Sequence, residues 1–181
     1  MAASGTVVAV CCSPGNGFSK PGVHEIRLVE GLGVEGDAHS GRTVQHLYLR
    51  NKDAAAPNLR QVHLMHAELF AELAGGGFTL EPGDLGENIT TCGIDLLSLP
   101  VGAVLEIGEA RIELTGRRTP CVQIENFQKG LLKALIAKDG AGQPVFKAGV
   151  MGVVRARGLV RKDDEIDVQM PVKPHKPLLA I

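Results

Sequence analysis

The chain has 181 residues, a formal net charge of -1 and 44% hydrophobic residues. That is enough apolar material for one buried core and too much for general disorder. Near-neutral charge argues against a general nucleic-acid binder; only 3% of residues are aromatic, so stacking platforms are scarce.

No stretch approaches a transmembrane span, so neither nucleic acid nor membrane is expected as a partner. Thr6 to Cys12, "TVVAVCC", is β-branched and apolar and ends at "SPGNG", which predicts a strand and a turn. No Lys or Arg precedes this short run, so a strand fits better than a signal peptide. Val23 to Glu30 alternates and predicts a second strand. The stretch from Gly31 to Gln61 is rich in Gly and charge and lacks a period; loops of that length inside domains tend to be functional or mobile. His66 to Ala74 contains helix formers and stops at Gly75 to Gly77. "LEPGDLGENITTCGIDLLSLPVG" reads as turn, strand and turn. "AVLEIGEARIELTG" predicts a hairpin, with Leu105 and Ile107 on one arm and Ile112 and Leu114 on the other. "KGLLKALIAKDG" reads as a short amphipathic helix stopped near Gly140. "AGVMGVVRARGLVRKDDEIDVQM" supplies two strands around a charged turn, and the Pro-rich tail, residues 171–181, is expected to lie extended along the surface.

Short strands without a βαβ rhythm predict a single mainly β domain over residues 1–170, a closed or partly closed β-barrel with a few short peripheral helices. Neither a dinucleotide-binding glycine fingerprint nor a Walker-type loop is present. Cys11 and Cys12 are adjacent while Cys92 and Cys121 stand alone. This spacing is no disulfide framework and suggests reduced thiols and a cytoplasmic location.

The chemistry concentrates in "ELTGRRTPCVQIENF". Pro120 tends to end the preceding strand and leaves Cys121 in a turn. Arg117 and Arg118 would favour its thiolate or hold a phosphate by forked hydrogen bonds. The competing reading is a small buried hydrophobe flanked by solvated arginines. On a regular strand the two arginines start on opposite faces, and Arg118 is expected to work with Cys121. In "GVEGDAHSGR", Asp37, His39 and Arg42 either line a polar site or organise a turn. Asn88 in "PGDLGENIT" either offers its amide to a ligand or opens a strand. His63 and His66 lack a third metal ligand nearby and read as structural or solvent histidines.

The segments "GVEGDAHSG", "RQVHLMHAEL", "PGDLGENITTCGIDLLSLPVG", "LEIGEARIELTGRRTPC" and "AGVMGVVRARGLV" together resemble the MOSC domain, named for the C-terminal domain of molybdenum cofactor sulfurase, in its small stand-alone bacterial form. The resemblance runs from about Gly31 to Val168. It implies a β-barrel and a molybdenum cofactor (molybdopterin) site. Cys121 falls on the family's functional cysteine, as a persulfide carrier or as a thiolate ligand of molybdenum. Arg117, Arg118, Asp37, His39 and Asn88 are the implied cofactor-binding residues. The aminotransferase-like domain of the sulfurases has no counterpart, so pyridoxal phosphate is not expected in this chain. The implied activity is sulfur transfer, or a part in a molybdenum-dependent reductase for N-hydroxylated compounds, with a cysteine desulfurase or a redox protein as partner. The alternative is a non-catalytic barrel that binds a protein partner, with Cys121 structural. The glycine loop of Asp37 and His39 is expected to come close to Cys121 if both serve one site.

Overall fold

The computed structural model describes residues 4–181; residues 1–3 of the expected domain lie outside the described residues. The strands are β1 (Ser4–Cys11), β2 (Gly22–Val23), β3 (Glu25–Val29), β4 (Gly33–Val34), β5 (Val62–His66), β6 (Ile89–Cys92), β7 (Val104–Ile107), β8 (Ala110–Arg117), β9 (Ile136–Lys138), β10 (Pro144–Phe146), β11 (Val150–Ala156), β12 (Gly158–Arg161) and β13 (Glu165–Gln169). The helices are α1 (Leu47–Arg50), α2 (Glu68–Gly75), α3 (Val122–Phe127) and α4 (Leu131–Ala134). None of these helices is long and apolar enough to cross a membrane.

Strands β13, β7, β8, β11, β5, β6 and β1 pair in that order, and β1 pairs back to β13, which closes a seven-stranded barrel. Closure removes the sheet edges that would otherwise invite pairing with other chains. Among these strand pairs only β5 and β6 run parallel. A smaller sheet, β12-β3-β4, and a hairpin, β9-β10, sit outside the barrel. Side chains alternate across each strand. On β5, Val62 and Leu64 fill the barrel core with Leu105, Ile112, Val150 and Val154. Met65 faces the other way and joins Leu69, Leu85, Ile124 and Leu131 in a second cluster. That second cluster seats α2 to α4 on the barrel wall and brings the segment after β8 into place.

The hairpin from Val104 to Arg117 forms as its alternation predicts, with Leu105 facing Ile112 across the pair. Three expectations are corrected. The segment after Lys129 makes only one helical turn, α4; Ile136–Lys138 then pairs with Pro144–Phe146 around "DGAG". Asp139 caps that turn, its Oδ1 accepting from the backbone N–H groups of Ala141 and Gln143. A hairpin turn signal therefore overrides the helical spacing of the leucines. The stretch after Ala148 holds three strands, not two, because β11 and β12 are separated at Arg157 and join different sheets. The tail is not merely laid on the surface: Leu178 is 3% exposed within the barrel core, and Arg117 exchanges backbone hydrogen bonds with Leu179 and Ile181.

Candidate functional site

Strand β8 ends where the tail and β11 hold both its sides. The Arg118 backbone N–H donates to Gly149 O at 3.0 Å. Gly149 has φ of +91°, and a Cβ there would run into Leu64 O and the His63 ring, so glycine is needed for this crossing. Thr119 and Pro120 turn the chain, and Cys121 precedes α3 with an extended backbone. Its thiol is half-buried and makes one long contact of hydrogen-bonding type, Sγ to Gln123 Oε1 at 3.7 Å.

Cys121 opens into a cavity of about 440 Å³. One wall carries Arg118, His63 and Asn88 from the barrel end; another carries Phe18 from the loop after β1. The remaining wall comes from the long stretch between β4 and β5, through His39, Gln45 to Tyr48 and Arg60. Gly86 closes the floor, and Leu85 beside it accepts a hydrogen bond from Arg118 Nη1. Arg118 also lies over the Phe18 ring, 5.7 Å from its centroid.

Two guanidiniums therefore face one cavity. Neither Arg60 nor Arg118 has a carboxylate partner among the described residues. Burial pushes both below the ordinary arginine range, with the Arg118 charge adding to the effect on Arg60. The Cys121 sulfur acts in the opposite sense on both, and Glu87 also offsets the effect on Arg118. Burial, reinforced by Arg118, holds His63 well below its usual value and so neutral. Its Nε2–H donates to Ala148 O at 2.7 Å. Burial, with Arg60 next, likewise lowers His46.

Asp37 organises the site from behind. Its side chain is fully buried and pairs with Lys20 Nζ at 2.9 Å. It also accepts from Asn88 Nδ2 at 3.0 Å, from the His39 backbone at 3.0 Å and from the His39 ring at 3.3 Å. Burial alone would raise the carboxyl, but the His39 hydrogen bonds and the Lys20 ammonium outweigh it and hold Asp37 ionised, well below the usual range. The second Asn88 amide hydrogen goes to Cys11 O, while Asn88 Oδ1 accepts from the His63 backbone. Both donors of Asn88 are thus engaged within the protein, and its geometry is that of a brace between Asp37 and β5.

The structure brings Cys121, Arg118, His39 and Asn88 to one cavity and puts Asp37 directly behind His39. It does not bring Arg117 there. Arg117 points to the other face of β8 and donates from Nη2 to Leu97 O at 2.7 Å. Strand alternation is the reason. Arg42 is also outside the cavity wall. His63 and His66 lie on strand β5, three apart, and so on opposite faces; among the described residues no cluster of three His, Cys, Asp or Glu is placed to hold a metal ion. Lys20, His46 and Arg60 were not singled out from sequence. Arg60 stands in the matched segment "RQVHLMHAEL", and that was its one available signal.

The MOSC domain family model matches residues 51–167. No match is found among curated protein sequences. Among solved structures, the YuaD protein of Bacillus subtilis is similar at 23% identity, covering 93% of this chain and 97% of that one, with a TM-score of 0.75. YiiM of Escherichia coli is similar at 20% identity, covering 94% of this chain and 73% of that one, with a TM-score of 0.62. YiiM of Geobacillus stearothermophilus is similar at 15% identity, covering 96% and 77%, with a TM-score of 0.63. These likenesses show the fold, and the family model spans more than half the chain: this protein belongs to the MOSC domain family.

Proposed function

We propose that the cavity binds the molybdenum cofactor, with the Cys121 thiolate as a ligand of the metal. The family is associated with molybdenum cofactor binding. The observation that carries the reading is a single open thiol in a cavity with two guanidiniums that lack carboxylate partners among the described residues. The donor set fits the group. A thiolate suits a soft metal, and planar guanidiniums suit a phosphate. A structural cysteine would be closed off from solvent, as Cys11 is at 1% exposure.

When bound, the cofactor would supply a redox-active metal centre. The chain's own contribution is positional. Arg118, held by Leu85 O and the Gly149 backbone, and Arg60 would hold the phosphate. Asp37 would fix the His39 ring in the cavity wall through its Nδ1. Phe18 and Leu85 would shield parts of the cavity from water. A reductase of N-hydroxylated compounds would need an electron-donating partner in addition.

Sulfur carriage by the same thiol is the second reading. Its support is the half-exposed position of Cys121 beside Val122, which is 65% exposed and leaves the thiol within reach of a donor protein such as a cysteine desulfurase. Retention of the cofactor by lysine variants tests the main reading. Arg118→Lys and Arg60→Lys should each weaken retention, since an ammonium cannot reproduce the planar fork, while Arg117→Lys should not. Equal retention in all three would remove the phosphate assignment.

A further inference from the structure

Residues 43–57 form a strap whose residues Gln45 to Tyr48 line the cavity. Its base is tied down: Thr43 bridges Pro57, and the Val44 backbone N–H donates to Ala56 O at 2.9 Å. The buried Asn58 side chain fastens the base by donating to His39 O and Gly41 O and accepting from the Arg60 backbone. The strap's tip is different. Helix α1 buries none of its residues. Leu47 and Tyr48 line the cavity yet are 58% and 61% exposed. His46, also in the cavity wall, has a buried Nδ1 with no hydrogen-bond partner. Such an atom loses its hydration without a replacement.

Two large, largely apolar side chains and one unmet ring nitrogen thus stand at a cavity that Arg60 and Arg118 also line. We propose that this strap is the specificity element of the site: Tyr48 and Leu47 cover the planar organic part of an anionic ligand, and the His46 imidazole bonds its polar edge. The ligand class is a planar heteroaromatic phosphate, with the phosphate on Arg60 and Arg118. The proposal rests on the cofactor reading above and adds the residues that tell a ring-bearing phosphate from a bare one. An aromatic side chain stacks on any planar ring, whereas inorganic phosphate offers it nothing.

The test uses the full chain and two probes, inorganic phosphate and 6-hydroxymethylpterin phosphate, with affinities measured by calorimetry. The wild-type protein should bind the pterin phosphate more tightly than phosphate. Tyr48→Ala should weaken the pterin phosphate about tenfold, in line with the loss of one stacking contact, and leave phosphate binding unchanged. Tyr48→Phe should restore pterin phosphate affinity, since it keeps the ring. Arg118→Lys should weaken both probes. Equal affinity of the two probes, or an unchanged pterin phosphate affinity in Tyr48→Ala, overturns the strap proposal while Arg118 dependence leaves the cofactor reading standing. Failure of the wild-type protein to bind either probe removes the cofactor reading and the strap proposal with it.

Discussion

Asp37→Asn removes the negative charge that meets the buried Lys20. The pair is 2.9 Å apart, with side-chain exposures of 3% for Lys20 and 0% for Asp37. The substitution keeps the shape but leaves an ammonium without a counter-charge. Breaking a buried pair from one side typically costs about 3–5 kcal/mol. For a chain of this size each kcal/mol moves the melting temperature by about 2–4 °C, so a fall of roughly 6–20 °C is expected. Urea unfolding and thermal melts at pH 7 measure it. The acid limb gives a second check. Burial alone would raise Asp37, but its hydrogen bonds to His39 and the Lys20 charge hold its folded pKa below the ordinary value. Its contribution is therefore full above the unfolded carboxyl value of about 4 and is lost as pH falls through the depressed folded value. Asp37→Asn should flatten that part of the stability profile. Combining Lys20→Met with Asp37→Asn should recover part of the loss by removing the stranded charge. A loss below about 1 kcal/mol, with an unchanged acid limb, would refute the account of Asp37 as the brace of the site.

Native alkylation followed by peptide mapping should label Cys121 before Cys11. Burial, with Glu87 next, pushes the Cys11 thiol up to about 11, and Cys11 is 1% exposed; faster labelling of Cys11 would contradict the placement of both thiols. Leu178→Ala should destabilise the fold by about 2–5 kcal/mol, as a core leucine does; a cost under about 0.5 kcal/mol, the usual range for a surface site, would mean that the tail is only laid on the barrel.

The barrel was legible where alternation is strict. Leu105, Ile107, Ile112 and Leu114 mark both arms of one hairpin, and their burial follows from period two alone. Cys121 was legible for a local reason too, since Pro120 ends the strand beside it. The helix expected after Lys129 was misread because Leu131 and Leu135 have helical spacing in a segment that also carries a hairpin turn at Asp139. Leu178 was hidden by its Pro-rich surroundings, which report backbone conformation and not burial. Lys20 and Arg60 were hidden more deeply. A cation in a loop reads as solvated until its partner or its cavity is known, and Lys20 meets Asp37 only through the fold. The Arg117 and Arg118 alternative was settled in space at the very end of β8: the register against β11 shifts between Leu114 and Gly116, but Arg117, the last strand residue, turns to Leu97, and Arg118, the next, turns to the cavity.

Molybdenum content of gently purified full-length protein, compared between the native chain and Cys121→Ala, tests the central claim most directly. The account predicts molybdenum and pterin together in the native protein and loss of the metal in Cys121→Ala, with the fold unchanged by circular dichroism. Molybdenum retained at the native level in Cys121→Ala would contradict it.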